Sequence, residues 1–143
     1  MIALGCDHGG YDLMQAVKAH LDTIGEEYLD CGTFSKDSCD YPEFGRAAAL
    51  AVLDGDCDKG IIICSTGIGI SITANRYKGI RCGLCHDEMT ARLTREHNNA
   101  NMLAMGALCV DEELAIKIVD TFLKTEFSGG ERHIRRINLI DND

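Results

Sequence analysis

Apolar and polar positions follow one another along this chain in two distinct rhythms. Runs that are apolar nearly throughout occur at residues 2–6 (IALGC), 27–31 (EYLDC), 60–64 (GIIIC), 79–85 (GIRCGLC) and 101–110 (NMLAMGALCV). Short continuous runs of this kind predict strands buried on both faces. Between them, Leu13, Met14, Val17, Leu21 and Ile24 recur at helical spacing, as do Phe44, Ala47, Leu50, Ala51 and Leu53, which predicts helices with one face turned to a core. The same rhythm continues over 67–76, 87–96 and 111–124, where Leu114, Ile118 and Phe122 share a face, and a last helix is predicted over about 130–140.

Strands alternating with helices predict an α/β fold, a doubly wound three-layer sandwich around a five-stranded parallel sheet with right-handed crossovers. Residues 32–42 (GTFSKDSCDYP) are polar, aperiodic and hold the only proline, so they read as a surface loop. In such a fold, ligands gather beyond the carboxyl ends of the strands. The residues that follow each apolar run therefore carry the chemistry.

Composition narrows the function classes. The 143 residues, 45% hydrophobic, fit one domain over 1–143 that needs no covalent staples. A net charge of -9 argues against general affinity for nucleic acid or anionic membranes, so any anion site must be local. No apolar run approaches the roughly 20 residues of a membrane span, and MIALGCDHGG lacks the features of a signal peptide, which makes a cytoplasmic protein the expectation. Eight cysteines lying in or beside apolar runs read as free thiols. Cys82 and Cys85 have the spacing of a zinc or redox half-site, but no suitably spaced second pair follows, and two core thiols in a strand is the favoured account.

The stretch Cys64-Ser65-Thr66-Gly67-Ile68-Gly69-Ile70-Ser71 runs from the third strand through a glycine-rich turn into a helix. Such a turn aims main-chain N–H groups at one point, and the helix start adds partial positive charge, so the place suits an oxyanion or phosphate. It lacks the G-K-[ST] of a Walker A loop and fails as a dinucleotide fingerprint at Ile72. A thiolate facing a helix start is a usable base or nucleophile, which sharpens interest in Cys64. From this stretch alone, a buried core cysteine is an equal alternative.

Three other stretches stand out. Asp7-His8-Gly9-Gly10 ends the first strand; Asp7 would orient a hydroxyl or His8, and His8 would contact phosphate, unless Asp7 caps the first helix and His8 is merely solvated. Arg95-Glu96-His97-Asn98-Asn99-Ala100-Asn101 follows a helix; capping explains the asparagines but leaves His97 idle. Arg132 and Arg136 lie four apart on one helical face and can share one phosphate, with a solvated, charge-balancing helix as the competing account. Arg135 is assigned to solvent and His20 to the polar surface of the first helix, while His86 stays open between cleft and helix lead-in.

In this order, Asp7-His8-Gly9-Gly10, Asp40-Tyr41-Pro42, Cys64 to Ser71, Glu96 to Asn101 and Gly129-Gly130-Glu131-Arg132-His133 closely resemble the type B ribose-5-phosphate isomerases. That family also includes allose-6-phosphate isomerases and galactose-6-phosphate isomerase subunits. The resemblance implies a Rossmann-like homodimer, or dimer of dimers, with sites shared between chains. It implies aldose–ketose isomerisation of a sugar phosphate with no metal and no cofactor. By the same resemblance, His97 assists furanose opening, Thr66 holds the ring oxygen or a hydroxyl, and Cys64 carries a proton from C2 to C1 through a cis-enediolate. The N–H groups from Ser65 through Gly67 to Gly69, with the Asn98 side chain, take the enediolate charge. Ser71 belongs to the same pocket or to the helix's first turn. Asp7 holds hydroxyls, and His8, Arg132 and Arg136, with His133 beside them, hold the phosphate.

One departure bears on substrate. Eleven residues after His97 the family generally carries a phosphate-contacting arginine, where this chain has Leu108. Loss of a charge-assisted contact costs on the order of 1.5 to 3 kcal/mol of binding. Arg135 and Lys78 are the cations considered as substitutes. Ribose 5-phosphate and ribulose 5-phosphate are the expected pair, a six-carbon phosphate is the alternative within the family, and a non-catalytic sugar-phosphate sensor or a flavodoxin-like redox module are the alternatives outside it.

Overall fold

The computed structural model describes residues 1–142; Asp143, the last residue of the expected domain, lies outside them. Strands β1 (Ile2–Cys6), β2 (Tyr28–Asp30), β3 (Lys59–Cys64), β4 (Cys82–Leu84) and β5 (Met102–Gly106) pair in parallel throughout, in the order β2-β1-β3-β5-β4. The helices are α1 (Tyr11–Ile24), α2 (Tyr41–Leu53), α3 (Ile68–Asn75), α4 (Glu88–Asn98), α5 (Glu112–Lys124) and α6 (Glu131–Asp141), with a single 3-10 turn at His8–Gly10 leading into α1. The result is a Rossmann-like three-layer sandwich.

The apolar strand runs are explained by the two cores they serve. Leu4, Cys6, Ile61, Ile63, Leu103 and Met105 face α1, α4 and α5, whereas Ala3, Ile62, Cys64, Met102 and Ala104 face α2 and α3. Alternate residues of each strand thus enter opposite cores, and neither face of the sheet is left for polar side chains. Each fully buried leucine or isoleucine here contributes roughly 1.5–3 kcal/mol of transfer free energy. Helix α6 lies outside this frame, against α4.

Several boundaries differ from expectation. The strands expected over 79–85 and 101–110 are shorter, because Cys85 and Ala107 already leave the ladder. Within the expected 32–42 loop, Tyr41 and Pro42 open α2, where a proline lacking its N–H costs the first turn nothing. The expected core face of α2 is turned: Gly45, Ala48, Ala49 and Ala51 are buried, while Leu50 and Leu53 are exposed. Small residues let α2 approach the sheet and α3 closely; a Cβ on Gly45 would stand 2.9 Å from Cγ1 of Ile70. Ile24, the last residue of α1, is also exposed.

All eight cysteines are free. Cys85 joins the core under α1, α4 and α5, whereas Cys82 packs against the opposite one, so their C-x2-C spacing straddles the sheet. Burial pushes the thiols of Cys6 and Cys85 up to about 11.

Candidate active site

β1 and β3 are neighbours, yet α1 leaves toward one face of the sheet and α3 toward the other, which opens a crevice beyond their carboxyl ends. Asp7 sits in it almost wholly buried, its N–H donating to the Ile63 carbonyl at 3.3 Å. Its Oδ1 accepts from the Gly10 N–H at 3.0 Å, so Asp7 does cap the turn before α1. Its Oδ2 has no protein partner among the described residues and is not sealed from solvent, which leaves it free for a hydroxyl. Gly9 follows, close enough to the Ser65 hydroxyl that a Cβ would collide with it. The exposed His8 stands beside them.

Cys64 is buried at the end of β3, and the Gly67 N–H donates to its Sγ at 3.2 Å. Gly67 makes this possible. Its φ of +77° is left-handed, and a Cβ there would lie 2.7 Å from the Met105 carbonyl carbon. The exposed Thr66 has its Oγ1 accepting from the Ile68 N–H at 3.2 Å. Ser71, by contrast, is buried and donates its hydroxyl to the Ile68 carbonyl at 2.8 Å, which serves the first turn of α3 and leaves its oxygen able to accept. One wall was not foreseen from the sequence: the Tyr41 ring covers Gly69 so closely that a Cβ there would stand 2.5 Å from its Cζ.

The remaining residues gather elsewhere. The His97 and His133 rings stack with centroids 4.3 Å apart and planes inclined by 15°. Burial, then His97, Arg132 and Arg136, hold the His133 imidazole below its ordinary value. Arg132 and Arg136 are exposed on α6, and neither forms an ion pair among the described residues. In a protein of net charge -9, two unpaired guanidiniums beside two stacked imidazoles concentrate positive charge and N–H donors in one place, which is chemistry suited to an anion. Asn98 is exposed at the adjoining end of α4.

These two clusters lie at opposite ends of the parallel strands. Cys64 pairs with Gly106 at the carboxyl end of β5, whereas α4 runs back and delivers His97 and Asn98 just before Met102 at its amino end. The five residues of β5 span about 13 Å. One chain therefore does not bring Cys64 and His97 together.

Other expected residues find their places too. Arg95, two residues before His97, is buried and structural, bonding the Thr125 and Ala100 carbonyls and Asn99 Oδ1. His20 is not a free surface residue: its Nε2 lies 2.6 Å from Asp120 Oδ1 across α1 and α5. His86 is exposed, and Asp87 beside it caps α4. Leu108 is 81% exposed, its N–H donating to the Ser65 carbonyl at 2.9 Å, beside a cleft of about 370 Å3 whose walls include Gly9, Asp12, Asp111 and Glu112. Neither proposed substitute cation lines that cleft, since Lys78 precedes β4 at the amino edge and Arg135 is on α6.

The chain matches the family described as ribose/galactose isomerase over residues 2–140. It is 47% identical to ribose-5-phosphate isomerase B of Escherichia coli over 139 residues, 97% of this chain and 93% of that protein. It is 45% identical to a putative sugar phosphate isomerase of Bacillus subtilis over 142 residues, covering 99% and 95%. The solved ribose-5-phosphate isomerase B of Clostridium thermocellum superposes with a TM-score of 0.97 at 50% identity, covering 99% of this chain and 95% of that one. Matched along nearly its whole length in both sequence and fold, the chain belongs to the ribose/galactose isomerase family and is an aldose–ketose isomerase.

Proposed function

We propose that the enzyme interconverts ribose 5-phosphate and ribulose 5-phosphate in a site completed by a second copy of the chain, with Cys64 as the base. The observation that supports this most directly is the Gly67 N–H bond to Cys64 Sγ at the head of α3, in a chain whose relatives are named ribose-5-phosphate isomerase B. Its neighbours suit the remaining steps. His97 assists opening of the furanose, with Thr66 on the ring oxygen and Oδ2 of Asp7 on a hydroxyl. Only the open chain has the C1 carbonyl that acidifies the C2–H bond.

The Cys64 thiolate then takes the C2 proton, the C–H pair forms the C1–C2 double bond, and the carbonyl pair moves to O1. The N–H groups between Ser65 and Gly69 and the Asn98 amide hold the resulting charge without reorganising. A proton passes from O2 to O1 and the thiol returns its proton to C1, leaving the carbonyl at C2. Positioned proton transfer of this kind is worth typically 10² to 10⁴ in rate. His8, Arg132, His133 and Arg136 hold the phosphate, which fixes the chain end that does not react.

The separation of Cys64 from His97 is the reason for the second copy. One chain supplies Asp7, His8 and the Cys64 to Gly69 turn, and its partner supplies His97, Asn98 and the α6 cations, in a homodimer or a dimer of dimers. Exposed Ile68, Ile72, Leu84 and Met89 give such a contact apolar surface. No helix among the described residues is long and apolar enough to cross a membrane, and the enzyme is proposed to act in the cytoplasm.

Cys64→Ala should lower turnover at least about a hundredfold while calorimetric binding of the sugar phosphate persists. Near-normal turnover in that variant, or no exchange of the C2 hydrogen with solvent in the native enzyme, would overturn the assignment. Exposed Leu108 and the acidic walls beside it support a second reading, a six-carbon phosphate, and a panel of pentose and hexose phosphates separates the two.

A further inference from the structure

The polar loop from Thr33 to Asp40 has no regular structure, yet it is pinned at both ends to the crevice. At its start, the Thr33 N–H donates to the Cys6 carbonyl at 2.6 Å, and the Gly32 carbonyl accepts from the Cys6 N–H at 2.7 Å. At its far end, the Cys39 main-chain N–H donates to Nδ1 of His8 at 3.2 Å, spanning 31 residues of sequence. The Cys39 Sγ also lies 3.8 Å from the same nitrogen. Nε2 of His8 has no protein hydrogen bond among the described residues.

A main-chain N–H only donates, so the nitrogen it meets must offer a lone pair. A neutral imidazole carries one proton, and with Nδ1 accepting, that proton sits on Nε2. We propose that the main-chain amide of Cys39 locks His8 in its Nε2–H tautomer, so that His8 meets the substrate phosphate as a hydrogen-bond donor. In the other tautomer, Nδ1–H would face the Cys39 N–H, and Nε2 would turn a lone pair toward an anion. The loop is then a positioning device for His8, just as Tyr41, two residues further on, walls Gly69. The role given to the tautomer rests on the reading of His8 as a phosphate ligand, but the tautomer itself does not.

Long-range proton–nitrogen correlation spectra of 15N-labelled enzyme, with His8→Gln to assign the ring, read the tautomer directly. An unprotonated Nδ1 and a protonated Nε2 in the native protein are expected; a protonated Nδ1 would overturn the proposal without need of any further variant. Cys39→Ala keeps the amide and should keep the tautomer, and its loss there would assign the effect to the thiol instead. Cys39→Pro removes the N–H and should give mixed tautomers, with KM for ribose 5-phosphate raised roughly three- to tenfold and kcat little changed. Titration of native enzyme with ribose 5-phosphate should shift the His8 Nε2 resonance. A native Nε2–H tautomer that ignores the substrate would refute the ligand role of His8 and leave the tautomer assignment standing.

Discussion

His133 shows how much one buried ring depends on its surroundings. Stacked on His97 and flanked by Arg132 and Arg136, it is held below its ordinary value of 6.5, first by burial and then by those neighbours. The unfolded chain therefore binds this proton more readily than the folded one, and stability rises with pH across the interval. His133 contributes fully above 6.5, and the contribution is lost as the pH falls through 6.5 toward the folded value. His133→Phe keeps an aromatic stack but cannot titrate, so its urea midpoint should fall less than the native one between about pH 7.5 and about pH 5.5. Equal falls would show that this ring is not the source. The sequence placed Asp7 and Ser71 near the site but not their atoms. From the sequence Asp7 reads as hydroxyl ligand or cap, and in the structure it caps through Oδ1 while Oδ2 stays available. Ser71 reads as pocket or helix turn, and its hydroxyl donates to the Ile68 carbonyl in the turn while its oxygen lone pairs stay available to a ligand. Spacing along a chain says which residues reach a turn, whereas hydrogen bonds decide which atoms remain free.

At the scale of elements, Arg81 ties together α4, which carries His97, and α6, which carries Arg132 and Arg136. Its Nε donates to the Asn98 carbonyl at 2.9 Å and one terminal nitrogen to the Asn99 carbonyl at 3.1 Å, capping carbonyls left open at the end of α4. The other terminal nitrogen reaches Asp141 at the end of α6 at 2.7 Å. Arg81→Met should cost about 2 kcal/mol of stability, because it leaves these acceptors unmatched in a partly buried place, and it should raise KM more than it lowers kcat. Unchanged urea midpoint and KM would show that α6 is held by its packing alone. Nothing in the apolar run around Arg81 announces this role, since the partners lie 17 to 60 residues away. The run did announce a strand, and every predicted strand and helix is present. What periodicity missed is which way α2 faces: Leu50 and Leu53 are large and apolar yet exposed, because close packing on β1 and α3 selects Gly45, Ala48 and Ala49 for the interior.

For the whole molecule, the decisive feature is the sheet's polarity. Parallel strands put the Cys64 turn at their carboxyl ends, and the return of α4 puts His97 at their amino ends, so a site that needs both must be shared. The spacing of the motifs along the chain does not by itself show this, because two residues of one motif set look equally available wherever the fold sends them; only the family resemblance implied a shared site. Mixing two inactive variants tests the arrangement directly. On the proposed roles, Cys64→Ala and His97→Gln homodimers should each be nearly inactive, since every site lacks either the proposed base or the proposed ring-opening group. In a hybrid dimer, the Cys64 of one subunit meets the His97 of the other, and one of the two sites regains both groups while the second loses both. Random reassociation of equal amounts makes half the dimers hybrid, so the mixture should recover about a quarter of native activity. Recovery must also require subunit exchange and disappear when the variants are mixed without it. A mixture that exchanges subunits yet stays as inactive as its components would place both groups of each site in a single chain.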